Sequence, residues 1–312
     1  MHRHTSLLRA VHATTLAACV SCAALLPNPA MAQAGRMPPS TDWTAVDQAL
    51  GRKGAAQPGD VMKYSFPRSD LQVTASGVAI KPAFALGSWV AFKSVPGGHT
   101  MAMGDLVLSE DEVAPVMRAL QQGGIEQTAL HTHMLHESPR VMYMHISAHG
   151  DAARIAQTIR SALSLSRTPL AAPAAPTAAA PIDLDTIAVA GALGFAGKVN
   201  GGVYQVSVPR GDTIREGGNE IPPSMGVATA INFQPTGGGK AAITGDVVMR
   251  ASEVNGVIRA LQQGGIEVSA LHSHMLTEEP RLFFMHFWAN DDALVLARAL
   301  RAALDVTNSR RP

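Results

Sequence analysis

The amino-acid sequence predicts an α+β protein made of two tandem copies of one domain, each an antiparallel sheet with helices, joined by a Pro/Ala linker. Three observations support this fold class. One segment occurs twice letter for letter, as Arg118–Glu126 and as Arg259–Glu267. The stretch 169–181 between the copies is almost wholly Pro and Ala. In each copy, several strand-like stretches are followed by a helix, a hairpin and a helix, an order typical of antiparallel α+β domains.

The repeats define the domain organisation. A Pro/Ala-rich stretch cannot bury a core and favours an extended, semi-rigid chain. We therefore expect the linker to make few contacts, so that proteolysis there would release two folded halves. The predicted divisions are a signal peptide at 1–32, repeat domain 1 at 41–166, the linker at 167–182 and repeat domain 2 at 183–308.

Local signals set the elements within repeat 1. Ser109 and Glu112 form a capping box that starts a helix, and Gly123 and Gly124 end that helix. A helix before them, a hairpin after them and a closing helix complete the order, and repeat 2 has the same order. The predicted spans are a helix at 41–50, strands around 61–67, 71–75, 87–94 and 100–108, hairpin strands at 125–134 and 140–148, and a helix at 151–163.

The N-terminal segment predicts export. A basic start is followed by the apolar stretch Ala10–Leu26 and by an A-x-A cleavage site that ends at Ala32. An alternative is that Leu16–Cys19 acts as a lipobox, which would place a lipid anchor on Cys19. The first alternative predicts a periplasmic or secreted protein, and the second a protein that is lipid-anchored in the cell envelope.

Composition limits the partners and the ligand types. The chain has 25 Lys+Arg against 24 Asp+Glu, so no charge surplus would attract nucleic acid. Its two cysteines, Cys19 and Cys22, both lie in the predicted signal peptide, so any metal in the mature chain must be held by His and carboxylate. No later stretch reaches the roughly 18 apolar residues of a membrane helix, so none is expected in the mature chain.

A duplicated cluster of histidines predicts a metal site in each repeat. His131 and His133 lie two residues apart in a predicted strand, so both side chains project from one face. His145 on the partner strand lies on that face, and Glu137 lies in the connecting turn. Three imidazoles and a carboxylate suit a transition metal, and they favour zinc or copper. The corresponding residues of repeat 2 are His272, His274, His286 and Glu278.

Comparison of the two copies favours a metal site. The alternative is that these histidines are core or surface residues satisfied by hydrogen bonds. All three histidines and the glutamate keep their spacing, although His136 and Ser138 of the turn become Thr277 and Glu279. Methionines near the first cluster would favour copper if they were ligands, but methionine on a strand is more often a core residue.

Arg140 and Arg281 are duplicated too. Each would either pair with the glutamate of the turn or bind a small anionic ligand.

Three functions fit these residues. The first is a metal-binding protein of the cell envelope. The second is a zinc-type hydrolase in which Glu137 or Glu278 acts as the base for a metal-bound water. The third is an interaction module whose histidines fix the hairpins. Whether the two sites are separate or face each other is open.

The chain also resembles the LppY/LpqO family of exported lipoproteins, a domain of unknown function that often occurs in tandem. The resemblance rests on Gly104-Asp105 with Gly245-Asp246, on the A-L-Q-Q-G-G-I helix end, and on A-L-H-x-H-M-L followed by E-x-P-R. It implies an envelope location and lipidation. It supplies no mechanism, because no activity is established for that family.

Overall fold

The computed structural model describes residues 41–171 and 181–310 and confirms the α+β fold class. The predicted signal peptide, the alternative lipidation site Cys19 and the middle of the linker lie outside these described residues. Among the residues described, no helix is long and apolar enough to cross a membrane.

Repeat 1 forms a six-stranded antiparallel sheet, a three-stranded sheet and four helices. In chain order its elements are α1 (Thr44–Leu50), β1 (Ala55–Gln57), β2 (Val61–Pro67), β3 (Thr74–Ala75), β4 (Val78–Ala79), α2 (Pro82–Ala85), β5 (Gly87–Val95), β6 (His99–Ser109), α3 (Glu110–Gln122), β7 (Glu126–His131), β8 (Glu137–Ser138), β9 (Val141–Gly150) and α4 (Ala152–Leu163). The large sheet has the order β1-β2-β5-β6-β9-β7, and the small sheet has the order β4-β3-β8.

Repeat 2 has the same large sheet, but its small sheet has two strands and a 3-10 turn replaces the short helix α2. Its elements are α5 (Thr186–Leu193), β10 (Lys198–Asn200), β11 (Val203–Val208), β12 (Arg215–Glu216), β13 (Asn219–Glu220), a 3-10 turn (Pro223–Met225), β14 (Thr229–Gly237), β15 (Lys240–Met249), α6 (Val254–Gln263), β16 (Glu267–His272), β17 (Phe283–Asp292) and α7 (Ala293–Asp305). Its six-stranded sheet, β10-β11-β14-β15-β17-β16, repeats the order of the first sheet strand for strand.

The predicted helix signals act as expected. The backbone N–H of Ser109 donates to Glu112 Oε2 at 2.9 Å, which completes the capping box that starts α3. The helix ends at Gln122, and the N–H of Gly123 donates back to the carbonyl of Ala119 at 3.1 Å. The predicted strand at 71–75 shrinks to Thr74–Ala75, because this segment pairs with the turn strand β8 rather than with the large sheet.

Each helical layer covers one face of its own sheet. Leu106 and Leu108 of β6 and Ile146 of β9 pack with Ile155 and Ile159 of α4 in the core of repeat 1. The alternating residues of the same strands point to the opposite face. That face is also buried, since all of β6 except its first residue is buried. Both faces of each sheet are therefore covered, the inner ones by the other repeat.

Two segments, which we call arms, cover the inner faces. The first arm is residues 68–86 and the second is residues 210–228. Phe84 of the first arm meets Trp288 of β17 with ring centroids 6.1 Å apart. The N–H of Lys81 donates to Gln234 Oε1 at 2.9 Å. In the second arm, a Cβ on Gly226 would lie 3.0 Å from the ring of Trp89 on β5, so the backbone of this arm rests on that indole.

Two hydrophobic cores contain residues of both repeats. One combines Val61, Ala91, Met101 and Met103 of repeat 1 with Ile214, Ile221, Met225, Val227, Val248, Met275, Leu282 and Phe284 of repeat 2. The other combines Val73, Ala75, Ile80, Phe84, Leu86, Val107, Met134, Val141 and Tyr143 with Val203, Ala242 and Trp288. The expectation of two independent halves is therefore wrong. A linker rich in Pro and Ala shows only that the linker lacks a core, not that its neighbours are separate.

The first residues of the linker also make contacts. Arg52 donates to the carbonyls of Pro169 at 3.1 Å and Ala171 at 2.9 Å. Arg160 donates to the carbonyl of Leu170 at 2.9 Å. This end of the linker is thus bound to repeat 1 by hydrogen bonds.

A single cut between residues 172 and 180 is expected to leave both halves in one particle, because the shared cores and arms remain. The nicked protein should elute in gel filtration at the volume of the intact chain and separate into two fragments only in denaturant. Two native peaks at half the mass would show that the shared cores do not hold the repeats together.

Each arm begins at a buried arginine that the sequence analysis did not identify. Arg68, whose side chain is fully buried, donates to Glu112 Oε2 and Asp70 Oδ2, both at 2.8 Å, and to the carbonyl of Val107 at 2.6 Å. In repeat 2, Arg210 contacts the corresponding groups. These networks tie the start of each arm to the sheet and to the first turn of the following helix.

Candidate metal centre

Six histidines, three from each repeat, meet between the two sheets. They are the six that the sequence predicts as ligands: His131, His133, His145, His272, His274 and His286. The sequence left open whether the two predicted clusters are separate, and the structure shows a single cluster.

The closest contacts join histidines of different repeats. The ring centroids of His131 and His272 are 3.7 Å apart, those of His145 and His274 are 3.7 Å apart, and those of His133 and His286 are 3.8 Å apart. Within a repeat the neighbouring rings are farther apart, for example 5.1 Å from His131 to His145. Each repeat therefore supplies half of every closest pair.

These pairs follow a pseudo-twofold axis. Corresponding histidines of the two repeats differ by 141 in residue number. Exchanging the repeats converts the pair His145–His274 into the pair His286–His133, and it leaves the pair His131–His272 unchanged. This third pair therefore lies on the axis, with one of the other pairs on either side.

The sheets position the rings. His145 lies in β9 opposite Asp105 of β6 and Ala129 of β7, and His286 lies at the same place in β17. The strand β7 ends at His131, earlier than predicted, so His133 lies in the turn that follows it. Its ring stacks on Tyr143 at 3.2 Å, and the ring of His274 stacks in the same way on Phe284 at 3.6 Å.

Several ring nitrogens have no hydrogen-bond partner within the described part of the chain. They are buried and belong to five of the six histidines: His131 Nε2, His133 Nε2, His145 Nε2, His272 Nδ1 and His286 Nε2. The Nε2 atoms of His272 and His274 lie 3.0 Å apart. The ring of His286 is oriented by its Nδ1, which donates to the carbonyl of Gly245 at 2.7 Å and leaves Nε2 as the lone-pair nitrogen.

Burial keeps these imidazoles neutral, which is the form that binds metals. It lowers the pKa of His131 to about 4 and that of His286 to about 3. For His133, His145 and His274, burial together with the neighbouring imidazoles lowers the pKa well below the ordinary value.

Two aspartates that the sequence analysis did not assign to the site lie beside the histidines. Asp246 Oδ2 is 3.2 Å from His274 Nε2, and Asp105 Oδ1 is 3.9 Å from His145 Nε2. The Oδ1 atoms of both aspartates are buried without a hydrogen-bond partner. Burial raises the pKa of Asp105 to about 7, although Lys63 opposes the shift, and burial raises the pKa of Asp246 well above its usual value. Both aspartates occupy the duplicated Gly-Asp motif, so their signal was already present in the repeat.

The described residues contain three groups of side chains that could hold a metal ion. Within each group, the ligand atoms all lie within 4.8 Å of one another. The groups are His131, His145, His272 and His274; His131, His133 and His286; and Asp246, His274 and His286. Every predicted histidine belongs to a group, and each group contains residues that could hold a metal ion.

The predicted glutamates are not in these groups. Glu137 Oε1 accepts the backbone N–H of Val141 at 3.0 Å, and Glu278 Oε1 accepts that of Leu282 at 2.8 Å. Their identical spacing therefore reflects a shared role in the turn. Glu137 Oε2 is buried without a partner, and burial raises the pKa of Glu137 to about 7.

The two arginines differ in their surroundings. Arg281 donates to the carbonyls of Met275 and Leu276 and to Glu278 Oε2, at 3.2, 2.9 and 3.3 Å. These bonds match the turn-stabilising role that the sequence allows. Arg140 is exposed. Binding of a small anionic ligand by either arginine stays a prediction.

Methionines surround the centre mostly as core residues. Met101, Met134 and Met144 are buried in three different hydrophobic cores. A small cavity beside His145 and His274 is lined by Met103, Met225 and Met275 among others. This cavity borders one of the three histidine pairs.

Comparisons with known proteins give little beyond the family. No curated protein matches the chain. One solved structure matches, described as the crystal structure of a trimeric bacterial microcompartment shell protein PduB. Its sequence is 14% identical, and the match covers 83% of this chain and 95% of the shell protein chain, with a TM-score of 0.22. At that score the likeness carries no argument about fold or function.

A family model matches both repeats, at residues 44–165 and 187–306. These segments together span more than half of the chain. The match confirms a tandem domain of unknown function, but not the LppY/LpqO name. The chain belongs to the family described as Domain of Unknown Function (DUF1259) and contains two copies of its domain.

Proposed function

We propose that this is an exported protein that binds a transition metal, zinc or copper, in the six-histidine centre between its repeats. One observation carries the proposal: buried ring nitrogens without hydrogen-bond partners converge from both repeats on the same small volume.

The energetics favour a metal over a purely structural role. A buried polar atom without a partner costs about 1–3 kcal/mol. The ring nitrogens of structural histidines in a core normally have hydrogen-bond partners, as His286 Nδ1 does when it donates to the carbonyl of Gly245. Here five of the six histidines have a buried nitrogen without a partner, and within each ligand group the ligand atoms lie within 4.8 Å of one another, so a shared cation would satisfy several of them together.

The ligand types narrow the choice of metal. The described ligands are imidazoles and carboxylates, which suit zinc and copper. Calcium and magnesium prefer oxygen ligands, so a cluster dominated by nitrogen excludes them as the natural occupants. Export is supported by the basic and apolar N-terminal segment that ends at Ala32.

Metal content tests the proposal. The full chain purified from an exporting host should contain zinc or copper by elemental analysis, and His131→Ala/His272→Ala should lose most of it, since these two rings lie on the axis. The mass of the same sample shows whether the chain begins at Gln33 or at an acylated Cys19.

Two control variants should keep the metal. His99→Ala removes an exposed histidine that belongs to none of the ligand groups. Glu278→Gln keeps an acceptor for the N–H of Leu282 and alters only a residue of the turn. A wild-type chain that stays metal-free after dialysis against zinc and against copper would refute the proposal.

A metalloenzyme is the second candidate, favoured by two observations. A small cavity borders His145 and His274, and Glu137 Oε2 is buried without a partner. In this candidate function Glu137 is the base for a metal-bound water, although it lies outside both the lining of that cavity and the ligand groups. A screen of ester, phosphoester and peptide substrates tests this candidate, with Glu137→Gln expected to keep the metal and lose any turnover found.

A further inference from the structure

The ligand groups divide the cluster into two halves. The first group is His131, His145, His272 and His274, and the second is His131, His133 and His286. Exchange of the repeats converts the first group into His272, His286, His131 and His133, which contains the whole second group. The pseudo-twofold axis therefore relates the two groups, with the same arrangement of ligands on either side.

The number of lone pairs decides how many ions such an arrangement can satisfy. A neutral imidazole has one lone-pair nitrogen, so it binds one ion. Zinc takes four ligands in most protein sites. A single ion on one side of the axis would therefore leave the pair on the other side, His133 and His286 or His145 and His274, without a ligand role.

Two ions divide the histidines evenly. One ion lies at the pair His145–His274, the other at the pair His133–His286, and each takes one of the two axial rings. The ring of His131 lies 5.1 Å from that of His145 and 5.2 Å from that of His133, so it is equally placed for either side. Each ion then has three imidazoles, drawn from both repeats.

The aspartates lie where a two-ion centre needs negative charge. Asp246 is within 4.8 Å of His274 and His286, which belong to different pairs, so its carboxylate reaches toward both sides. Asp105 occupies the corresponding position in repeat 1. In both aspartates the Oδ1 atom is buried without a hydrogen-bond partner among the described residues, so each carboxylate has an oxygen free to bind an ion.

We propose that the centre is dinuclear: it holds two transition-metal ions, each bound by three histidines, with Asp105 and Asp246 as the carboxylate ligands between them. This inference rests on the proposed metal-binding function. In known two-metal sites the ions are roughly 3.5–4 Å apart, a separation that one carboxylate bridges.

The stoichiometry of the full chain tests the inference. The protein is stripped with a chelator, dialysed, and titrated with Zn²⁺ and separately with Cu²⁺, and bound metal is measured after desalting. We expect two equivalents per chain for each ion. For Cu²⁺ we also expect a paramagnetic resonance signal that is much weaker at two equivalents than the bound copper would give as isolated ions.

Pair variants assign the two ions. His145→Ala/His274→Ala and His133→Ala/His286→Ala should each keep one equivalent, with the uncoupled signal of a single copper ion. Asp105→Asn/Asp246→Asn should weaken binding by about 10 to 100-fold. His99→Ala and His149→Ala, which alter exposed histidines outside the ligand groups, should keep two equivalents.

The wild-type titration decides the matter even if a pair variant fails to fold. One equivalent for the wild type overturns the dinuclear centre and leaves the metal-binding function intact. No bound metal overturns both. Loss of all metal from both pair variants, with circular dichroism unchanged, would also overturn the inference, because it would mean that all six histidines act on one ion.

Discussion

Gly245→Ala is expected to destabilise the protein by about 3 kcal/mol or more, at the upper end of the cost of overpacking. A Cβ at this position would lie 2.0 Å from the carbonyl oxygen of Ala230, a backbone atom of the neighbouring strand that cannot move aside alone. It would also meet the ring of Phe287 at 2.8 Å. The strands β14 and β15 must separate locally to admit it.

The same change should weaken metal binding. The carbonyl of Gly245 accepts the hydrogen bond that orients His286, and Asp246 is the next residue. The midpoint of urea denaturation and the zinc affinity should both fall. Gly87→Ala is the matched control, since a Cβ there meets nothing within 4 Å and Gly87 lies in the corresponding sheet of repeat 1. Equal midpoints for the two variants would contradict the steric argument.

Arg68→Met is expected to lower the free energy of unfolding by about 3–5 kcal/mol, the usual cost of removing one partner from a buried ion pair. Methionine fills much of the same volume but removes the buried guanidinium that lies 2.8 Å from Glu112, and the exposed Arg167 replaces it only in part. Arg210→Met should act similarly in repeat 2. Calorimetry or denaturant titration of the metal-free protein measures both.

An exposed arginine of the same network provides the control. Arg167 contacts Asp111 and Glu112, but its side chain is 66% exposed, so Arg167→Met should cost less than about 1 kcal/mol. If Arg68→Met cost no more than this control, the buried network would not anchor the arm.

The dependence of the free energy of unfolding on pH in the acid range should also reflect the Arg68–Glu112 network. Burial alone would raise the pKa of Glu112, but hydrogen bonds from Arg167, Ser109 and Arg68 lower it from 4.5 to about 2. A carboxyl group whose pKa is lowered in the folded state contributes its full stabilisation at pH values above its unfolded-state pKa. That stabilisation is lost as the pH falls from about 4.5 toward 2.

The repeat made much of the fold and the centre predictable. Two copies of one sequence allow elements to be compared within the chain, and the capping box and strand alternation placed α3, β9 and the facing of His145 correctly. All six histidines of the centre were identified, because an unneeded histidine would have been free to change in one copy.

The packing of the two repeats against each other was harder to predict from the sequence. Facing of the two sheets is a long-range property, which local patterns do not encode. One available signal was the run from Met101 to Leu108, which is apolar except for Gly104 and Asp105, since a strand covered on both faces loses its alternation. Read in this way, the run indicates that a second layer covers the sheet, and Asp105 within it becomes a buried charge that needs a partner.

The glutamates Glu137 and Glu278 show what comparison of the repeats could not predict. A residue kept at the same spacing in both copies has a role common to both, but the spacing does not say which role. Glu137 and Glu278 both accept the N–H four residues later. A carboxylate that closes a turn and one that binds a metal leave the same trace in the sequence.

The pairing of histidines across the axis has an evolutionary consequence. A single repeat contains only one member of each closest pair, so an ancestor with one copy could complete the centre only as a symmetric homodimer, with two identical His131 rings meeting on its axis. Gene fusion would then have freed the two sides to diverge. Tyr143 beside His133 and Phe284 beside His274 are already such a difference. Deleting either copy would remove one member of every closest pair, so we expect neither repeat alone to complete the centre.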